Sequence, residues 1–573
     1  MFRTISNLLL SSVLVFSLNG IPLADAAPKK PKVLMVTAEQ TGYFQLGGLA
    51  HASTGLAVAK GADVLMPYYM SFYETDLTPG KTIASELHAE KQSIGVDLDH
   101  WEGEVYKQKE FSLHTHRRNG VKTTFLRHQH HEGEENLFHN PKDHKGKRGY
   151  APSHIEGESF GAFDIAAAHY ILQSDYDVVI LNDWPMGLIA ALIKSAEEQG
   201  KKVPKVIFAV HNMAYQGKFP KALIDYLGLD WRMFKVDGFE YHDDLSFFKA
   251  GLAFADFVYT VSLQYAHEIG TPEFGEGLDK MIQKLISENR LSGILNGIAV
   301  RDWAPNLAHE GVPHLFSVDD LSGKALNKAE LQREMGLPIL DGVPVITLTS
   351  RIVSQKGWKF LVEAIDEIAA KYNVQFAIMG DGEEEYLSKI ETLSKKYPSK
   401  VKYQAFSGRM EKLATAGADF FMNAAVFEPC GLNQFFALLM GTVPIVTAKG
   451  GLKDSVHELG EEQNGFVAEE ASHESIVAAM SRAIETYQAN PELIRKLRLK
   501  GMSVDYSWES RLDEVDAMIK YVLENGAHLA HEAGLDSEGL GPSALLKRHN
   551  RLKRTFKHKQ KCQDILMTER LAS

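Results

Sequence analysis

Arg351 and Lys356 stand five residues apart in Ser350-Arg351-Ile352-Val353-Ser354-Gln355-Lys356-Gly357, directly after an apolar run. An arginine fork beside a lysine point charge suits a diphosphate. In Phe427-Glu428-Pro429-Cys430-Gly431-Leu432-Asn433-Gln434, a carboxylate sits on a turn constrained by proline and glycine. Such a glutamate can hydrogen-bond sugar hydroxyls or stabilise developing positive charge. His211, Asn212, Tyr215 and Gln216 follow another apolar run, Lys205 to Val210, at the kind of strand end where ligands sit in open α/β sheets. Gly47-Gly48 and Gly450-Gly451 each precede a helix-compatible stretch. Backbone N–H groups there can face a phosphate, or the glycines can simply turn the chain. His128, His130, His131, Glu132, Glu134, Glu135 and His139 are metal-capable by residue type. Their spacing matches no helical zinc motif, and the segment reads as a solvated loop.

These residues need elements to hold them. Val33 to Val36, Asp63 to Met66, Asp177 to Leu181, Lys205 to Val210 and Phe257 to Val261 are short apolar runs separated by helix-compatible stretches such as Leu49 to Lys60 and Pro185 to Glu198. Apolar strands alternating with helices predict a parallel sheet covered on both faces. The rhythm fades over 304–342, which carries Pro305, Pro313, Pro338 and Gly342, and then restarts. Strands are expected at 343–348, 375–379, 420–423 and 444–447, with helices at 358–371 and 433–440. The expected division is 27–305 for a first Rossmann-like domain, 306–342 for a linker and 343–506 for a second Rossmann-like domain. A closing helix at 507–532 and a tail at 533–573 follow. Two doubly wound units facing each other bring the carboxyl ends of both sheets to one cleft.

With 573 residues, 45% hydrophobic and 24% charged, the chain has the composition of a multidomain globular protein. A net charge of −12 argues against a body-wide nucleic-acid footprint, so no nucleic-acid partner is expected. Two cysteines, Cys430 and Cys562, are too few for a disulfide framework or a four-thiolate metal site. Arg3, the apolar run from Leu8 to Phe16 and Ala24-Asp25-Ala26 make residues 1–26 a secretory signal by pattern. The apolar run is too short to span a membrane, which takes roughly 20 residues. Ser543 to Lys561 holds eight Lys/Arg and no acid, a tail able to contact an anionic partner.

Taken together, these segments resemble the bacterial glycogen synthases and plant starch synthases, retaining glucosyltransferases of the GT-B fold. The matching stretches include Leu46 to Ala50, Asn182-Asp183-Trp184, His211 to Gly217, Phe248 to Leu252, Leu291 to Ile298, Ser350 to Trp358, Phe427 to Gln434, Gly441 to Val446 and Gly450-Gly451-Leu452. The resemblance implies that Arg351 and Lys356 hold the donor's diphosphate. It makes Glu428 the active-site glutamate and His211 the histidine beside the transferred sugar. Asp183, Asn212, Tyr215 and Gln216 would line the sugar or acceptor side, and Gly47, Gly48, Cys430, Gly431, Leu432, Gly450 and Gly451 would complete the substrate site. ADP-glucose or UDP-glucose is the implied donor, a glucan or other hydroxyl the acceptor. No metal or other cofactor is implied.

The departures fall mainly in the first domain, with one in the second. Gln45 stands where the family has a lysine near the donor phosphates, His51 where it has an aspartate, Pro185 a histidine and Val426 an arginine. Two charges about 4 Å apart are worth on the order of 4 kcal/mol at an effective dielectric of 20, so losing that lysine weakens donor binding unless another base substitutes. An active transferase with an altered acceptor is therefore expected. Export, to the periplasm, the exterior or another cell, would make the acceptor a protein or glycan there; an unused signal would leave the chain in the cytoplasm. The contrasting reading is a non-catalytic GT-B shell that binds a glycan or partner.

Overall fold

The computed structural model describes residues 30–73, 76–78, 81–98, 107–129, 137–138, 150–151 and 155–525. The signal-like segment, the basic tail and most of the histidine-rich segment lie outside the described residues.

Strand β1 (Val33–Val36) is buried at all four positions, which only a strand covered on both faces can be. Helix α1 (Gly48–Lys60) carries the chain to β2 (Asp63–Pro67), parallel to β1. Three longer strands follow, β3 (His88–Leu98), β4 (Lys107–Arg118) and β5 (Val121–Gln129). β5 joins β2 in parallel, whereas β4 and β3 are added antiparallel beyond it. After α2 (Glu156–Leu172), the chain returns to the other side of β1 with β6 (Val178–Asn182), α3 (Leu188–Glu198), β7 (Lys205–Val210), β8 (Phe257–Thr260), α4 (Leu263–Glu268) and β9 (Leu291–Gly293). The strand order is β9-β8-β7-β6-β1-β2-β5-β4-β3. Its topological switch lies between β1 and β6, where a crevice opens at the carboxyl ends.

Between the two sheets, a polar helix, α5 (Ser322–Glu334), occupies a stretch that reads as linker by composition. Polar side chains anchor it, among them Lys328, whose Nζ lies 2.6 Å from Asp419 Oδ2. Lys324 is buried and its Nζ donates to the carbonyls of Ala416 and Met440, each at 2.9 Å, and to Thr442 Oγ1 at 2.7 Å. Three acceptors compensate the desolvation of an ammonium, so hydrogen bonds fix the helix to the second lobe alongside the apolar packing of Leu331.

The second lobe repeats the design with β10 (Val345–Thr349), α6 (Trp358–Lys371), β11 (Gln375–Met379), β12 (Val401–Gln404), α7 (Gly408–Gly417), β13 (Phe420–Asn423), α8 (Asn433–Leu439), β14 (Val443–Thr447), α9 (Gly450–Ser455) and β15 (Phe466–Ala468). Its six parallel strands run β12-β11-β10-β13-β14-β15. The switch between β10 and β13 places Ser350-Arg351 beside the segment leading to Glu428. The chain then crosses back, as Ile298 N–H donates to Tyr506 O at 2.8 Å. Trp508 and the apolar face of α10 (Leu512–Asn525), with Val515, Met518, Ile519 and Val522, pack into the α1 side of the first sheet. Two strands of chain thus cross between the lobes side by side, which is a hinge by construction.

Candidate active site

Lys356 and Glu428 are in contact. They come from loops 72 residues apart, and Lys356 Nζ lies 2.5 Å from Glu428 Oε2. Both side chains are largely withdrawn from solvent, at 16% and 8% exposure. The same carboxylate oxygen accepts from Asn423 Nδ2 at 3.3 Å. Gln355 ties the two loops together, its carbonyl accepting from Val426 N–H at 2.9 Å and its Nε2 donating to Phe427 O at 3.4 Å. Arg351 is exposed at the lip of the same loop, with Nη2 donating to Gln355 Oε1 at 3.0 Å. The pair therefore presents a neutralised ammonium and carboxylate, with an exposed guanidinium fork beside them. An incoming diphosphate can recruit both cations.

Gly450 and Gly451 serve this carboxylate from behind. Gly450 has φ +42, and a Cβ built on it would lie 1.9 Å from Glu428 O; one on Gly451 would lie 2.1 Å from Cys430 O. Their N–H groups are engaged within the protein, Gly450 to Glu268 Oε1 at 3.0 Å and Gly451 to Glu428 O at 3.1 Å. Their role here is close approach. Gly431, at φ +70, turns the chain into α8, and Gln434 Nε2 donates back to the carbonyls of Cys430 and Gly431, each at 3.0 Å. Cys430 is a buried free thiol whose pKa burial pushes up, so it is inert at neutral pH. Leu432 faces the first lobe: a Cβ on Gly48 would lie 3.7 Å from Leu432 Cδ1.

In the first lobe, His211 follows β7 and its Nε2 lies 3.0 Å from Asn182 Oδ1. Asn182 Nδ2 donates to Val36 O at 3.0 Å, which orients the amide and makes His211 Nε2 the donor. Burial lowers the His211 pKa to about 4, so the ring is neutral and offers Nδ1 as an acceptor for a sugar hydroxyl. Asp183 holds φ +64, a strained conformation for a non-glycine residue, and its carboxylate accepts from Trp184 N–H at 3.1 Å. Burial, with Glu39 nearby, keeps that carboxyl well above the usual range. Asn212 Oδ1 accepts from Ala214 N–H at 3.0 Å and shapes the loop, and Tyr215 is half exposed. Gln216 is turned into the lobe, donating to Glu276 O at 3.0 Å. Met213 and Ala214 on one lobe and Val426 and Phe427 on the other line a shared cavity of about 150 Å³, closed by the Glu273–Glu276 segment. A larger cavity of about 430 Å³ lies at the opposite end of the first sheet, against Lys32, Lys60 and Tyr176, and contains none of these residues.

One edge of the cleft is latched by reciprocal carboxylate caps. Glu268 of α4 accepts from Gly450 N–H in the first turn of α9, while Asp454 of α9 accepts from Gln264 N–H in α4 at 2.8 Å. Ser262 Oγ adds a bond to Pro429 O at 2.5 Å.

The decisive comparison is over nearly the full length of a relative. A glycogen synthase from Syntrophotalea carbinolica is 31% identical over 503 residues, covering 86% of this chain and 99% of its own. The chain belongs to the glycogen and starch synthase family of glycosyltransferases. Residues 32–284 match the starch synthase catalytic domain, and residues 335–499 match glycosyl transferases group 1. A glycogen synthase from Myxococcus xanthus is 40% identical over 336 residues, 58% of this chain and 69% of that one. Among solved structures, the catalytic domain of starch synthase IV from Arabidopsis thaliana bound to ADP and acarbose superposes with a TM-score of 0.75 at 25% identity, covering 86% of this chain and 99% of that one. Sucrose-phosphate synthase from Thermosynechococcus elongatus shares the fold, with a TM-score of 0.50 at 13% identity over 87% of this chain and 100% of its own. A family enzyme of this kind transfers sugar from a nucleotide donor across a GT-B cleft.

Sequence reasoning missed Glu39. It is buried, and Oε2 accepts from Leu46 N–H and Gly47 N–H at 2.8 and 2.9 Å while Tyr150 donates to Oε1 at 2.6 Å. The Gly47 N–H is thus engaged by a carboxylate of its own lobe. Nothing in a lone Glu after an apolar strand signals this role. Asn182 stands in a stretch that matches the family, but its contact with His211 across two strands was not legible. His128, expected in a solvated loop, is instead buried on β5 with its ring 5.7 Å from Phe111. Strand alternation carried it inward. Among the described residues there is no group of three or more metal-capable side chains, and no helix is long and apolar enough to cross a membrane.

Glu411 is a further, half-buried acid, its carboxylate 3.4 Å from Asn433 Nδ2. Burial raises its pKa to about 7. The folded carboxyl holds its proton better than the unfolded one, so this contribution to stability is present at low pH and is lost as pH rises through 7. Glu411→Gln should match the parent at pH 5 and exceed it by about 2 kcal/mol at pH 8, measured by urea unfolding.

Proposed function

We propose that this enzyme is a retaining hexosyltransferase that moves glucose from ADP-glucose or UDP-glucose to a glucan or other hydroxyl acceptor. The observation that carries the reading is the Lys356–Glu428 contact at the second-lobe switch point, with Arg351 on the same loop. The two cations receive the leaving diphosphate, and neutral His211 accepts a hydroxyl of the sugar. The bond from the anomeric carbon to the diphosphate oxygen breaks, and the acceptor oxygen bonds that carbon from the same face. The acceptor's proton passes to the departing diphosphate. Closure about the hinge orients both sugars and excludes water. The Arabidopsis relative, bound to ADP and acarbose, supports a nucleoside diphosphate donor.

Residues 1–26 have the pattern of a secretion signal. With the altered first lobe they favour an acceptor outside the cytosol, and cell fractionation showing the intact chain in the cytosol would remove that part. The loss of the family lysine at Gln45 favours the alternative of a non-catalytic shell. One experiment separates them: the purified chain is given ADP-glucose, UDP-glucose and GDP-mannose, with and without glycogen, and released nucleoside diphosphate is measured. Turnover supports the transferase; no turnover and no thermal shift with any donor supports the shell.

A further inference from the structure

Gln45 and His51, two first-lobe positions at which this chain departs from its family, are in contact. Gln45 Nε2 lies 2.9 Å from His51 Nε2. An amide nitrogen donates, so the ring accepts and is neutral in this arrangement. A glutamine can also turn its Oε1 toward a protonated ring, which makes it a partner for both charge states; a lysine could not be one. His51 lies one helical turn beyond Gly48 on α1, and that face lies across the cleft from Leu432 and Phe436 of α8. Gly48 abuts Leu432, and the His51 and Phe436 ring centroids are 6.4 Å apart. This is one turn of chain from the Glu428–Cys430 segment. The charged groups facing His51 are Asp302, from the Val300–Asp302 turn, and Lys412 from α7; α8 itself contributes no charge. Burial lowers the His51 pKa, Asp302 opposes this and Lys412 adds to it.

We propose that His51 is the first lobe's donor-binding cation: it takes up a proton as the nucleoside diphosphate enters the cleft, and Gln45 holds the ring in both states. The diphosphate brings negative charge to the ring in addition to that of Asp302. A permanent lysine is thereby replaced by a conditional charge, and donor binding is linked to pH. The inference rests on the nucleotide-sugar reading above.

The test is calorimetric titration of the full chain with ADP, and separately UDP, from pH 6 to 8.5 in buffers of different ionisation enthalpy. His51→Gln serves as reference, because the nucleotide's own phosphate protonation is common to both proteins. The parent should take up more protons per nucleotide than His51→Gln, and its affinity should fall by up to about tenfold more per pH unit through the window. His51→Lys should retain affinity at pH 8 without the extra uptake. Equal uptake and equal pH slope in parent and His51→Gln would overturn the proposal while leaving the transferase reading intact. If neither nucleotide binds the parent, the transferase reading itself falls, and the proposal with it.

Discussion

Lys356→Ala should lower kcat/KM for the nucleotide sugar by about a thousandfold, read as released nucleoside diphosphate. The ammonium at the end of β10's loop meets the diphosphate on binding and more strongly as charge develops on it, so its loss falls on both KM and kcat. The structure adds a second consequence. Glu428 is 8% exposed and would keep only Asn423 as a partner for its carboxylate, so the variant should also lose about 3 kcal/mol of unfolding free energy. Adding Glu428→Gln should return most of that stability, because the stranded charge is gone, and none of the activity. Recovery of turnover in the double variant would mean that Lys356 does no more than neutralise Glu428.

Gly450→Ala is expected to cost about a hundredfold in kcat and about 3 kcal/mol in stability, by kinetics and urea unfolding. Its φ of +42 disfavours any side chain, and the added methyl would be driven 1.9 Å from the Glu428 carbonyl. Relief requires moving the Glu428 backbone or withdrawing α9 from Glu268, and either disturbs the Lys356 contact. Gly460 isolates the conformational part, since it has φ +82 with nothing near its missing Cβ. Gly460→Ala should cost about 1 kcal/mol and leave kcat unchanged. If the two variants behaved alike, crowding at Glu428 would not be what selects the glycine.

Much of this architecture was readable because its signals are local. Val33–Val36, Lys205–Val210, Gln375–Met379 and Phe420–Asn423 are short apolar runs bounded by turns, and they form strands where expected. Helix α6 begins and ends at the expected residues, Trp358 and Lys371. Helix α5 was not readable, because its anchors include a lysine whose acceptors lie at Ala416, Met440 and Thr442. A composition-based reading assigns such a polar stretch to solvent. The antiparallel β3–β4 addition was missed for a related reason: pairing partners are chosen across space, and the residues there alternate without a motif.

The site divides along the same line. Residue type and order, with the family resemblance they carry, led to the expectation that Arg351, Lys356, Glu428 and His211 serve one chemistry, since the cations, the carboxylate and the histidine each follow an apolar strand. Only the folded chain decided that Lys356 and Glu428 neutralise one another, that Gly450 and Gly451 admit a backbone rather than present free N–H groups, and that Gln45 and His51 are partners. Charge state, close approach and pairing depend on distances between segments, and those are set by how the two sheets pack and where the hinge holds them.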